Sequence, residues 1–259
     1  MVSYFALTFM VGAALGSYIQ TMTGFALGIV VTGVVALSGA APIANTADAL
    51  SIIGLINAAV VLPKMGKHID WPGLLRIMLA LTPGMIAGVV LLDILSSQHS
   101  TVLRLLAGVI VLMGGATLFL QPRPAEKPSG PLSTGTLGVI AGVMSGLFSL
   151  PGPPVVYHYY RQPVSLQTVR ATLITIFTIL SIFRLITVQM QTGISMVSVQ
   201  IALLSIPVVT VGSWLGVRFP PRLSDAATRR VAFSILTAMG VLTIFMALHE
   251  LLAVRLSGG

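Results

Sequence analysis

The sequence predicts an all-α polytopic membrane protein made of two inverted repeats. Composition is the first reason: 56% of the 259 residues are apolar, 8% are charged, and mean hydropathy is +1.00. The second is that the apolar residues fall in runs long enough to cross a bilayer, which takes about 20 residues per helix. The third is that the first run of each half is interrupted by glycine, threonine or proline at matching places. A chain with 14 basic and 6 acidic residues cannot clothe a soluble domain, where about a quarter of residues are charged. A soluble enzyme, a nucleic-acid binder and a disordered chain are excluded together. The net charge of +8 sits between apolar runs, as membrane-flanking loops require. With no cysteine, disulfides, thiolate metal sites and a cysteine nucleophile are excluded.

Along the chain, the apolar stretches run over 4–37, 44–62, 73–95, 101–120, 133–160, 166–190, 196–217 and 229–253. The N-terminal run lacks a basic leader and reads as a retained membrane segment, not a signal peptide. The run 4–37 is too long for one straight helix and breaks around Thr21–Gly24. The run 133–160 breaks at Ser149–Pro154, where proline and glycine interrupt the hydrogen-bond ladder. The mixed segment QPRPAEKPSGP (121–131) divides the chain near its midpoint. The expected organisation is a first membrane repeat over 1–120, a cytoplasmic linker over 121–132 and a second repeat over 133–259. Each repeat opens with a broken or re-entrant helix pair followed by three transmembrane helices, eight to ten segments in all. Gly24 matches Gly152, Pro83 matches Pro207 and Gly88 matches Gly212, at spacings of 124 to 128 residues. Small residues four apart, such as Gly84/Gly88, Gly138/Gly142/Gly146 and Gly212/Gly216, suit close helix packing.

Charge chooses between two threadings. If each broken stretch crosses once, the loop Lys and Arg divide almost evenly. If each goes in and comes back, one side holds Lys64, Lys67, Arg76, Arg123, Lys127, Arg161, Arg170, Arg218, Arg222, Arg229 and Arg230, and the other only Arg104 and Arg255. The positive-inside rule prefers the second. It makes the repeats inverted, both termini periplasmic and the linker cytoplasmic. Trp71 and Trp214 then fall at cytoplasmic ends, as interfacial anchors.

Inverted repeats with broken helices place substrate sites where half-helix ends face a cavity. Those ends offer unpaired N–H groups to an anion. The breaks are expected to face one another across such a cavity. At the first, Gln20, Thr21, Thr23 and Gly24 are either site groups or the groups that satisfy the freed backbone. At the second, Ser149 and Gly152 keep amides that Pro153 and Pro154 lack.

The segments GSYIQTMTGFALG (16–28) and SGLFSLPGPPVV (145–156), the latter followed by RAT (170–172), resemble the TauE/SafE sulfite exporter family, also called toluene-sulfonate uptake permeases. The resemblance covers both halves, their opening breaks and the midpoint linker. At the first break GFALG (24–28) stands where that family has a glycine run. The resemblance implies transport of sulfite, organosulfonates or related sulfur-containing or carboxylate anions across a bacterial inner membrane. It also places Arg170 near the second break, where a guanidinium can pair bidentately with a sulfonate; the alternative is a snorkelling anchor.

Arg184 lies in the same stretch and is expected to snorkel to the outer interface. Asn45 and Asp48 open the second stretch with the spacing of a cap and an acidic first turn; Asn45 is also a substrate-site candidate, in the place that Arg170 holds in the second half. Substrate-binding candidates are thus Gln20, Thr23, Gly24, Asn45, Ser149, Gly152 and Arg170. His158 and Asp48 are candidates to carry a coupling proton. No motif for a metal, a P-loop or a nucleophile elbow occurs, so no enzyme activity, cofactor or nucleic-acid partner is expected. The expected partners are a small anion and the bilayer, with a homodimer left open. A passive anion channel and, less well supported, an intramembrane enzyme are the alternatives to a secondary transporter working by alternating access.

The charge asymmetry fixes a labelling outcome. In intact cells, a Ser257→Cys variant should react with a membrane-impermeant maleimide and a Ser129→Cys variant should not; the reverse pattern overturns the topology.

Overall fold

The computed structural model describes residues 2–38, 43–98, 126–148 and 152–219, with isolated helical residues at 109, 234, 237, 241, 244 and 245. The apolar runs 101–120 and 229–253 thus lie almost wholly outside the described residues. In the described residues the chain is helical throughout. The first broken stretch forms α1 (Val2–Thr23) and α2 (Leu27–Ser38), followed by α3 (Ile43–Met65). A 3-10 turn (Gly66–His68) leads to α4 (Trp71–Gln98). The second broken stretch forms α5 (Pro131–Phe148) and α6 (Gly152–Arg161), followed by α7 (Leu166–Gln191) and α8 (Met196–Arg218). Five of these, α1, α3, α4, α7 and α8, are long and apolar enough to cross a membrane. The chain is therefore a polytopic helical membrane protein. Many large apolar side chains face outward, Leu79 and Met190 among them, as lipid-facing surfaces require.

The first break sits slightly later than the sequence suggests, at Gly24–Ala26. Gly24 has φ +84° and Ala26 +99°, so two left-handed residues flank Phe25 and turn the chain. Glycine adopts that conformation freely; for Ala26 it costs on the order of 1–3 kcal/mol, held by the packing around it. The turn sends α2 back along α1. Gly12 lies against Val31 and Gly16 against Leu27, so the two helices are antiparallel. At 12 residues α2 is about 18 Å long, well short of a bilayer. Ser165 caps α7, accepting from Thr168 N at 3.2 Å. The end of α7 closes on Gly193 (φ +76°), whose amide reaches Val188 O at 2.9 Å.

Helices from the two halves pack on one another along glycine seams. In α4 and α5, Gly84 faces Gly142 and Gly88 faces Gly146, so these helices run parallel. Their backbones touch: a Cβ on Gly84 would stand 2.5 Å from Val139 O, and one on Gly146 2.6 Å from Val89 N. In α8, Gly212 meets Ala14 and Ser17, and Gly216 meets Tyr18 and Thr21 of α1, again parallel. By contrast α3 and α7 run antiparallel, with Asp48 opposite Arg184 and Gly54 opposite Ser181. The main apolar cluster joins the break residue Phe25 to α2, α4, α5, α6 and α7.

The glycine seam can be tested within a single helix. Gly142→Ala places a methyl against Leu81 O and Met85 N, whereas Gly135 has open space around it. Gly142→Ala should lower stability by about 1–3 kcal/mol, and Gly135→Ala should be neutral or mildly stabilising. Thermal unfolding in detergent reads both; equal effects would show that the seam is not close-packed.

Candidate functional site

Each break frees backbone groups, and different polar side chains meet them at the two places. At the first break Gln20 carries most of the work. Its Oε1 accepts from the amide of Leu27, the first residue of α2, at 3.1 Å, and its Nε2 donates to Asn57 Oδ1 at 2.9 Å. Asn57, fully buried on α3, in turn donates to Ser213 Oγ on α8 at 2.7 Å. A three-residue relay thus ties the break to α3 and α8. Thr21 and Thr23 donate back to Ser17 O and Ile19 O, each at 2.9 Å. Both are back-bonds within α1; Thr23 Oγ1 also accepts from the freed amide of Phe25 at 3.4 Å, one of the two roles the sequence allowed. The carbonyl of Thr23 accepts from the Tyr160 hydroxyl at 2.6 Å, which fixes the C-terminal end of α6 to this break.

At the second break the partner is an ion pair. Arg184 Nη1 donates to Asp48 Oδ1 at 2.6 Å and Nε to Gly146 O, in the last turn of α5, at 3.3 Å. Arg184 is 1% exposed and Asp48 8%. The expectation that Arg184 snorkels is therefore wrong: its head group turns inward, because Asp48 and an open helix end are both within reach there. Asp48 is likewise not a first-turn residue. The helix begins at Ile43, which puts Asp48 in the second turn, on the face toward α7.

The predicted residues separate into two groups. Gln20, Thr23 and Gly24 gather at the first break. Arg170 joins them, since a Cβ on Gly24 would stand 2.8 Å from Arg170 Cα. That places its backbone beside the first break and not the second, because α7 enters at the level of the α1–α2 turn. Its side chain is half-buried. Asn45, half-buried, lies one turn from Asp48 and thus at the far end of α3 from Asn57. Gly152 opens α6, and Ser149 lies outside the described residues.

His158 is buried at a cavity of about 220 Å³ lined also by Asp70, Arg76, Ser129 and Gln162. It is apart from Asp48. Nine residues separate Asp48 from Asn57 on α3, about 14 Å, so the groups bonded to Gln20 and to Arg184 stand at two levels, and residues 149–151 of the second break lie outside the described residues. Among the described residues no cluster of His, Asp or Glu could hold a metal ion.

Asn57, Ser213 and Tyr160 were not singled out from the sequence, and Arg184 was read as peripheral. A usable signal existed for two of them. Arg184 follows Asn57 by 127 residues, and Gly152 follows Gly24 by 128. Applying the repeat spacing to polar residues inside the apolar runs pairs these two, each serving the break of its own half.

Comparison with known proteins agrees with this architecture. The family model described as Sulfite exporter TauE/SafE matches residues 8–243. A protein of Cupriavidus necator described as "Probable sulfite/organosulfonate exporter TauE" is 39% identical over 225 residues, covering 87% of this chain and 88% of that one. No solved structure matches.

The relay predicts an order of sensitivity. Asn57→Ala leaves both Gln20 and Ser213 short of a buried partner, at about 1–3 kcal/mol for each group stranded. Ser213→Ala removes only the terminal acceptor. Melting should fall further for Asn57→Ala; the opposite order would show that the relay does not hold the break.

Proposed function

The chain belongs to the TauE/SafE sulfite exporter family, and on that premise we propose that it is a secondary transporter of a small anion, working by alternating access in a bacterial inner membrane. The substrate is sulfite, an organosulfonate or a related sulfur-containing or carboxylate anion. The observation that carries this is the pair of helix breaks. Each is served by one buried polar residue of the long helix that follows it, Asn57 through Gln20 at the first and Arg184 directly at the second. Discontinuous helices in corresponding positions of two halves are where transporters of this kind bind substrate.

Helix directions support inverted repeats over 1–120 and 133–259. An in-plane two-fold relating the halves makes α3 and α7 antiparallel, and makes α1/α8 and α4/α5 parallel. All three pairs run that way. The fold-back of α2 on α1 supports the threading with both termini periplasmic.

The buried residues between the two polar levels are mixed, with Ser51 on α3 and Thr172, Thr175 and Ser181 on α7 beside large apolar side chains. Leu50 and Ile53 lie between Asp48 and Asn57 on α3, and Leu173, Ile176 and Leu180 between Arg170 and Arg184 on α7; all five are buried. The burial of these side chains between the levels supports a gated carrier over a passive anion channel. On this reading Gln20, Thr23, Gly24 and Arg170 receive the anion at the inner level, and Asn45, Ser149 and Gly152 at the outer one. His158 and Asp48 are the groups available to carry a coupling proton.

Sulfite flux into proteoliposomes should saturate and show counterflow, and Arg170→Ala should weaken substrate affinity roughly 10- to 150-fold, the loss of one charge-assisted hydrogen bond. Arg170→Lys should recover only part of it, because the planar fork is lost. Flux that rises linearly with concentration and lacks counterflow would make the protein a channel.

A further inference from the structure

Arg184 uses one arm of its fork and leaves the other open. Nη1 holds Asp48 and Nε holds Gly146 O, while Nη2 is buried and has no hydrogen-bond partner among the described residues. An unpaired donor of a charged group is costly in an interior. A carboxylate rotated to grip both arms would remove that cost. Asp48 does not do so; it is held through Oδ1 on one arm alone. The open arm lies beside the last turn of α5, just before the gap that leads to Gly152 and α6. The half-filled fork is thus placed where the helix is interrupted.

We propose that the transported anion takes the place of Asp48 on Arg184, and that Asp48 takes up one proton as it is displaced. Each monovalent anion then moves with one H+. The inference rests on the transporter reading above and names its substrate seat and coupling ion. A sulfite- or sulfonate-type oxyanion has three oxygens and spans Nη1 and Nη2 together, which the monodentate carboxylate does not.

Charge balance requires the proton. Empty, the site holds Asp48 carboxylate and Arg184 guanidinium and is neutral. Loaded, it holds a neutral Asp48 acid, the guanidinium and one anion, and is neutral again. An anion added to the intact pair would leave a net negative charge at a depth where an uncompensated charge is expensive. The proton comes from water on the open side and bonds one Asp48 oxygen. It leaves by the same route when the anion departs and the pair re-forms. Of the two partners Asp48 keeps the larger accessible area.

Charges on the surrounding helices do not serve this pair. Lys64 is sixteen residues further along α3, Arg170 fourteen residues back along α7, and Arg218 ends α8. No titratable side chain occurs on α2 or α5, and α1 offers only tyrosines. Asp93 is on an exposed face of α4, which also carries Arg76 at the inner cavity; His158 lines that cavity and Arg161 ends α6.

The test uses the purified full-length protein with methanesulfonate, an anion that carries no proton of its own near neutrality, and with sulfite. Proton uptake is read with an indicator dye in weak buffer. The parent should take up about one proton per methanesulfonate bound, and its affinity should fall roughly tenfold per pH unit on the alkaline side. Asp48→Asn keeps an acceptor for Nη1. It should bind without proton uptake and without pH dependence. Arg184→Lys keeps the charge but not the fork, and should bind at least tenfold more weakly at an unchanged melting temperature.

Parent binding without proton uptake overturns the proposal. So does parent-like binding and uptake in both variants, which makes the pair structural. If Arg184→Lys does not fold, Asp48→Asn alone decides. Sulfite flux by the parent in proteoliposomes separates the two levels. Where flux is present and the variants behave as the parent, only this inference falls. Where the parent moves no anion, the transporter reading falls with it.

Discussion

A backbone interrupted inside a bilayer has no water to turn to, so every N–H and C=O freed by the interruption must find a partner within the protein. That requirement organises this structure. At Gly24–Ala26 the freed groups include the first amides of α2 and the last carbonyls of α1. Gln20 meets one of the former, Thr23 Oγ1 accepts from the amide of Phe25, and the Tyr160 hydroxyl donates to the carbonyl of Thr23. Gln20 can do this only because its other end is held by Asn57, and Asn57 only because Ser213 accepts from it. The break is therefore stable because α3 and α8 stand where they do, and those positions depend in turn on backbone contact along the glycine seams.

The seams and the breaks are linked physically. Gly212 and Gly216 bring α8 against the last turns of α1, beside Ser17 and Thr21. Ser213 is on that same stretch of α8. A larger residue at either glycine would hold α8 off α1 and draw the acceptor away from Asn57. Close packing here does more than fill space. It carries a polar side chain to within hydrogen-bonding distance of an interrupted helix, in a medium where no other partner is available. Gly84, Gly88, Gly142 and Gly146 do the corresponding work between α4 and α5, and Gly146 also supplies the carbonyl that Arg184 binds.

Much of this was legible in the sequence because it rests on local or periodic signals. The broken runs, the glycine spacing and the interrupted midpoint are visible as composition along the chain, and the helices fall close to the expected spans. The destination of long polar side chains was not legible. Arg184 sits seven residues from the end of α7, where periodicity alone leaves open whether it turns to lipid headgroups or to the interior. Its direction depends on Asp48, which is 136 positions away. Asp48 was misread for the matching reason: taken with its neighbours it resembles a first-turn acid. Arg170 falls near the second break only through the family resemblance, whereas α7 begins at the level of the opposite turn and brings the Arg170 backbone beside Gly24.

The charges within the described helices also bear on what can pass. At the depth of the breaks the acidic group is Asp48, already held at 2.6 Å by Arg184. A cation arriving there would have to compete for a carboxylate whose present partner is tethered and buried. It would find only hydroxyls, amides and carbonyls besides. An anion meets the opposite situation. Arg184 presents a donor arm with no hydrogen-bond partner among the described residues, and the start of α6 adds the positive end of a helix dipole. Desolvation penalises either ion alike, so the difference lies in the partners on offer, and those favour the anion. The same asymmetry explains why a protein with a net charge of +8 need not carry that excess at depth. Among the described residues the other basic side chains stand near helix ends and in loops, where water screens them, so at depth the charge balance rests on the one Arg184–Asp48 pair.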